Sequence, residues 1–194
     1  TRYFTLFPYT TLFRSCSSMR FHVSHELRQP AGTVFRYELQ ERRLALEDDI
    51  VLRELEGTMD MVRTDRGLLV HVAAGCLAHG VCARCLTEID YRLRLDFEEE
   101  YLPVLDIFTG LPNRIPRDTD QFLIDADFVL DLREALRQYT VMAEPLNPLC
   151  RPDCRGLCPD CGQNLNEGPC ACPERLDSRW EPLRRLAARL RQEE

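Results

Sequence analysis

Eight of the ten cysteines stand in tight groups: Cys82-x2-Cys85 in mid-chain, then Cys150-x3-Cys154, Cys158-x2-Cys161 and Cys170-x-Cys172 near the C-terminus. Eight thiolates complete two tetrahedral shells, and zinc is the ion that most often takes such a shell. A lone CxxC says little. The run CRPDCRGLCPDCGQNLNEGPCAC says much more, because Pro159 and Gly162 frame a tight turn that brings Cys158 and Cys161 to one point. Residues 154–172 lack apolar periodicity, so their order must come from metal, worth on the order of 10 kcal/mol at neutral pH.

Loop length suggests the partition. Cys158, Cys161, Cys170 and Cys172 form a self-contained site, leaving Cys82 and Cys85 to share a second with Cys150 and Cys154. That second site would staple a hairpin tip to the C-terminal segment. A competing partition moves Cys150 and Cys154 into the C-terminal site and leaves Cys82-Cys85 as a bare dithiol. Iron also accepts four thiolates and stays open beside zinc. Cys76, alone in an apolar stretch, reads as packing, and His79 as a loop histidine rather than a ligand. The acidic runs Asp48-Asp49 and Glu98-Glu100 read as solvated faces. No P-loop, GxSxG or GxGxxG is present. All-sulfur, closed sites are the pattern of structure, not catalysis.

The elements that must carry these cysteines are mostly strands. Phe21 and Val23, then Val34 to Leu39, alternate with polar neighbours around the turn pair Ala31-Gly32. Leu55–Val62 and Leu68–Val72 flank Asp65-Arg66-Gly67, a hairpin turn with Gly67 expected at positive φ. Tyr91, Leu93, Leu95 and Phe97 alternate strictly with charged residues. The Cys82-Cys85 turn therefore sits at the tip of a long hairpin. Residues 102–120, with three prolines, read as a surface loop, followed by a short strand at Phe122–Ile124. Asp131-Leu132-Arg133-Glu134 reads as a capping box opening a helix with Leu132, Ala135, Leu136 and Tyr139 on one face. That helix must stop near Ala143, before Pro145 and Pro148. A final helix from Ser178 presents Trp180, Leu183, Leu186 and Leu190. The fold class expected is α+β: a curled antiparallel sheet or barrel-like body with a few helices and a C-terminal cysteine-rich zinc-binding segment.

Length and composition set the limits. The 194 residues, 44% hydrophobic, hold one ordinary domain with a metal-held appendage. The division expected is residues 1–18 as a non-native extension, 19–148 as the β-rich body with its helix, and 149–194 as the zinc-binding segment with the last helix. Residues 5–15, TLFPYTTLFRS, resemble a translated sequencing adapter, which puts the natural start at Met19. A lipoprotein signal ending at Cys16 fails because threonines and Arg14 interrupt its apolar segment. No apolar run reaches the about 18 residues of a membrane helix. Without a secretory signal, a reducing cytoplasm and metal-bound thiols are expected. The net charge is −7, and all basic residues are arginine. Small basic patches lie at Arg42-Arg43 and at Arg184, Arg185, Arg189 and Arg191; the helix version offers phosphate a foothold, while arginine at helix ends more often complements the dipole.

Several of these stretches carry a likeness. Cys82-Ala83-Arg84-Cys85-Leu86, the approach Leu146 to Cys150, Asp153-Cys154-Arg155-Gly156-Leu157-Cys158-Pro159 with Cys161-Gly162, Asn164-Leu165-Asn166, and the ending Asp177-Ser178-Arg179-Trp180 belong together. In them the chain resembles the YceD-type bacterial and plastid proteins described as large ribosomal RNA subunit accumulation proteins, departing at Ser178, where proline is commoner. The resemblance covers nearly everything from Met19 onward. It implies a cytoplasmic, non-enzymatic protein needed for normal levels of large-subunit (23S) rRNA, and it supplies no mechanism. The partners it points to are rRNA, a ribosomal protein or an assembly factor; the acidic charge favours a cationic protein among them. The alternatives are a thiol-redox or zinc-sensing protein using Cys82 and Cys85, and, more remotely, a metal-dependent hydrolase, which would need an open coordination position.

Overall fold

The structure is a computed structural model, describing residues 19–115, 121–172, 178–180, 182, 183, 186 and 189. The expected N-terminal extension and Leu190 lie outside the described residues.

Four long strands make the body: β2 (Val34–Ala45), β3 (Val51–Arg63), β4 (Leu68–Val81) and β5 (Glu88–Pro103). Short elements complete it: β1 (Arg20–His22), α1 (Ser24–Leu27), β6 (Phe122–Ile124), β7 (Val129–Asp131) and α2 (Arg133–Ala143). The seven strands form one sheet in the order β1-β7-β6-β5-β4-β3-β2, curled into a half-barrel. Every pairing is antiparallel except β5 with β6, where Tyr101, Leu102 and Pro103 face Phe122, Leu123 and Ile124 in parallel. One sheet face is apolar because the side-chain period is two. On β4 that face is Leu68, Val70, Val72, Ala74, Cys76 and Ala78; on β5 it is Leu93, Leu95, Phe97 and Tyr101, and all are buried. Each large side chain so buried contributes about 1.5–3 kcal/mol. Cys76 is packing, as its surroundings in sequence suggest.

The apolar face is covered by α2, whose Leu132 flank, Ala135 and Leu136 are fully buried. Tyr139 stacks on Phe97 with centroids 4.2 Å apart, and its hydroxyl donates to Glu99 at 2.5 Å. The expected capping box does not form, because the N-cap is Leu132, whose side chain makes no capping bond. Asp131 accepts from the Arg133 backbone at 3.0 Å, while Glu134 turns to Arg137 and Gln138 at 2.7 Å each. On the other side of the face, Phe21 meets Tyr37 edge-on, bringing the β1–α1 segment against β2.

Three further expectations change. Gly67 is not at positive φ; a Cβ there would lie 2.1 Å from the Tyr101 carbonyl oxygen, so close backbone approach is its role. His79 lies on β4 rather than in a loop and meets Asp90 at 3.1 Å. The strand at Leu55 begins earlier, at Val51, because a bulge at Glu54 (φ 50°) resets the register and turns both Leu52 and Leu55 inward. At the C-terminus, Ser178–Trp180 form a 3-10 turn and positions 182, 183, 186 and 189 are helical. Trp180, Leu183 and Leu186 are exposed there.

Candidate metal centres

The β4–β5 hairpin ends in a knuckle. Cys82 donates its backbone N–H to the Thr87 carbonyl at 2.9 Å, Leu86 donates back to Cys82 at 3.0 Å, and Leu86 takes φ 58°. The same turn recurs downstream. Cys158 donates to Gln163 at 2.8 Å, Gly162 donates to Cys158 at 2.9 Å, and Gly162 takes φ 74°. Thus CARCLT and CPDCGQ build one geometry twice, with Leu86 standing where the second turn has glycine. Each knuckle points two sulfurs the same way and aims backbone N–H groups at the first of them.

The remaining cysteines complete two groups. Cys82, Cys85, Cys150 and Cys154 have all their sulfurs within 4.8 Å of one another, and so do Cys158, Cys161, Cys170 and Cys172. Within them, Cys82–Cys154 is 3.8 Å, Cys85–Cys150 3.6 Å and Cys158–Cys170 3.4 Å. A tetrahedron of sulfurs about 2.3 Å from a central ion has edges of about 3.8 Å. A disulfide would bring two sulfurs to about 2.05 Å, and every described cysteine is free. The spacing thus fits a shared central cation and not a bridge. Of the two partitions, the one with Cys150 and Cys154 beside Cys82 and Cys85 is what forms; the bare dithiol is overturned.

The electrostatics agree with that reading. Backbone N–H groups of Cys85 first, then of Arg84 and Cys150, pull the Cys82 thiol down to about 6. The Thr87 hydroxyl and backbone lower Cys85 too. Desolvation among the packed sulfurs, then the Cys85 sulfur itself, push Cys150 up to about 12. In the second group the N–H groups of Cys161 and Asp160 draw Cys158 down to about 7, and the Cys161 sulfur drives Cys172 up to about 12. Some thiols ionise easily and their neighbours resist a further negative charge. A divalent cation removes that resistance.

The groups differ in setting. Cys82, Cys85 and Cys154 are buried around Ile89, Leu149 and Leu157, whereas Cys161 is exposed and Cys170 and Cys172 half-buried. Between them runs a polar link that the sequence reading did not single out. Asn166, in the loop of the second group, donates its amide to the Cys154 sulfur at 3.2 Å. Its amide oxygen accepts from the Arg155 backbone at 2.8 Å and from Arg151 at 2.7 Å. Arg84 of the knuckle donates to the Cys154 carbonyl at 2.9 Å, and Ala83 to the Pro148 carbonyl at 2.8 Å. The only sequence hint of this role is the Asn164-Leu165-Asn166 triplet. Of the acidic runs, Asp48, Asp49 and Glu98 are exposed as expected, while Asp48 also pairs with Arg137, Glu99 with Tyr139, and Glu100 with Arg66.

Comparison with known proteins places this architecture. The model of the family described as large ribosomal RNA subunit accumulation protein YceD matches residues 70–187, which spans both cysteine groups. Uncharacterized proteins of Mycobacterium tuberculosis and Mycobacterium bovis are each 30% identical over 148 residues, covering 73% of this chain and 67% of theirs. One from Mycobacterium leprae is 26% identical over 107 residues, 55% of this chain and 47% of its own. No solved structure matches. The chain belongs to the YceD family. Among the described residues, no helix is long and apolar enough to cross a membrane.

Proposed function

We propose that this protein is a non-enzymatic, zinc-binding accessory factor of large ribosomal subunit biogenesis, acting in the cytoplasm to support accumulation of 23S rRNA. The observation that carries the reading is the convergence of eight sulfurs into two groups of tetrahedral dimensions within a chain of the rRNA-accumulation family. All-sulfur donor sets with no oxygen or nitrogen ligand suit structural zinc, which holds shape and offers no open position for chemistry. The burial of Cys82 and Cys85, at 0% and 5% exposure, argues against a thiol-exchange site, which needs an accessible thiolate.

The zinc centres fix the hairpin tip against the C-terminal segment and leave the curled sheet as the platform for binding. The partner is large-subunit rRNA, a ribosomal protein or an assembly factor. Depletion of the protein followed by gradient sedimentation tests the role: free or assembling large subunits and their rRNA should fall. An unchanged profile refutes it. Elemental analysis of the purified protein should find two zinc ions per chain, and iron in their place would refute the metal assignment.

A further inference from the structure

The face of the sheet turned away from α2 carries its charge unevenly. Strand positions alternate between the two faces, so the register says which side chains share it. In one row Arg43 of β2 stands opposite Arg53 of β3, Arg53 opposite Leu77 of β4, and Leu77 opposite Arg92 of β5. The next row adds Arg94, opposite Gly75. Neighbouring strands lie about 4.8 Å apart, so the row spans about 14 Å. Like charges directly across a strand pair destabilise a sheet, and the carboxylates of this half leave them standing. Asp90 is shared by Arg53 at 2.7 Å and His79 at 3.1 Å. Glu54 and Glu56 are exposed on β3, yet Arg43, Arg92 and Arg94, also exposed, pair with no carboxylate among the described residues. Toward the β3–β4 turn the same face becomes acidic, with Asp60, Asp96 and Glu98.

Beside the arginines, Ala73 and Gly75 leave a shallow trough of about 380 Å³, walled by Arg94 and by Asp96, which His71 holds at 3.1 Å. Small residues in a strand let another backbone approach closely. The outward positions of β2 to β5 hold no Phe, Tyr or Trp, so nothing there stacks a base. We propose that this arginine row binds the phosphate backbone of RNA. Guanidinium groups offer forked donors that match phosphate oxygens, and a polyanion laid across four strands meets several of them at once. The net charge of −7 repels RNA at long range, so the contact has to come from a local patch such as this one. The inference rests on the rRNA reading and narrows its partner to RNA itself, held by its backbone and not by base identity.

Fluorescence anisotropy of a labelled RNA hairpin with a single-stranded tail, titrated with the full, zinc-loaded chain across a salt series, tests the surface. Wild type should bind, with log affinity falling linearly against log salt. Arg43→Gln, Arg92→Gln and Arg94→Gln should each take about 0.7–0.9 off that slope, about a 5- to 8-fold loss near 0.1 M salt. Arg36→Gln, in the acidic half and paired with Asp60 at 2.6 Å, should change affinity by under about 2-fold. Leu77→Glu separates binding from folding. A carboxylate between Arg53 and Arg92 should raise the unfolding temperature while weakening RNA binding by about 5-fold or more. Absence of binding by wild type, unchanged binding in the row variants, or an equal loss from Arg36→Gln overturns the proposal. Competition by polyglutamate as effective as by unlabelled RNA also overturns it and assigns the row to an acidic protein. Depletion and sedimentation judge the ribosomal role separately: a changed profile beside row variants that keep RNA binding leaves that role standing without this surface.

Discussion

Asn166→Ala isolates the link between the two cysteine groups. The substitution removes the amide that donates to the Cys154 sulfur at 3.2 Å and the oxygen that accepts from Arg155 and Arg151 at 2.8 and 2.7 Å. The contacts on the oxygen side hold loop shape; Arg151 is half exposed and adds little. The contact on the nitrogen side is different, because a donor facing a metal-bound thiolate disperses its negative charge. Loss of a partner of this kind costs 10- to 100-fold in metal affinity, about 1.4–2.7 kcal/mol. The assay is zinc release to a chromogenic chelator from the full chain, which resolves two classes of site. Asn166→Ala should loosen the Cys82–Cys85–Cys150–Cys154 class by that factor and leave the other class within about 3-fold. Asn166→Asp sharpens the test. It keeps the acceptor for Arg155 and Arg151 but sets a carboxylate against sulfur, so it should loosen the same class more than alanine does. If aspartate proves milder than alanine, the loop contacts matter and the bond to sulfur does not, and the reasoning is refuted.

Leu86 holds φ 58° in the first knuckle while 63% exposed; relief of that strain by Leu86→Gly, net of glycine's entropy, should raise stability by about 0.5–1 kcal/mol in urea melts. At Gly57 a Cβ would lie 2.3 Å from the Ala73 carbonyl oxygen and 2.5 Å from Ala74 Cα, so Gly57→Ala should cost about 1–3 kcal/mol by the same measurement. The Arg137 guanidinium, then Gln138, hold Glu134 at about 2 against an ordinary 4.5. A carboxylate depressed in the fold stabilises it above pH 4.5 and loses that contribution as pH falls toward 2. Glu134→Gln should therefore lower stability at pH 7 by under about 1 kcal/mol, since the pair is exposed, and the gap to wild type should close toward pH 2 in parallel thermal melts.

What the sequence disclosed follows from which forces are local. Alternation from Tyr91 to Phe97 identifies β5 because the sheet buries one face only. The partition of the sulfurs follows from loop length and the repeated knuckle, and all eight cysteines meet as spacing suggests. Long-range packing was hidden. The bulge at Glu54 breaks the alternation that would have extended β3 to Val51. Gly67 looks like a positive-φ glycine, yet the reason for it is the Tyr101 carbonyl, over thirty residues away in the chain. Asn166 acts on a sulfur 12 residues upstream, and no periodicity marks such a contact.

The two centres are unequal, and their connection makes the inequality matter. The second closes a short loop, with Cys158 and Cys170 separated by 12 residues. The first joins Cys82 to Cys154 across 72. Chain entropy makes the longer closure harder by roughly (3/2)RT ln 6, about 1.6 kcal/mol. The local site therefore has the lower threshold for forming. Once formed it fixes residues 162–169, placing Asn166 where it meets Cys154 and Arg155. With metal bound as proposed, Asn166 couples the two centres, and linkage makes the coupling reciprocal: each ion raises the other's affinity by the same factor. Cys170→Ser, which opens the local site, should therefore weaken zinc retention at the first centre by up to the factor seen for Asn166→Ala, and Cys82→Ser should weaken the second by a like factor. Loss confined to the mutated centre in both variants would show that Asn166 carries no coupling between them.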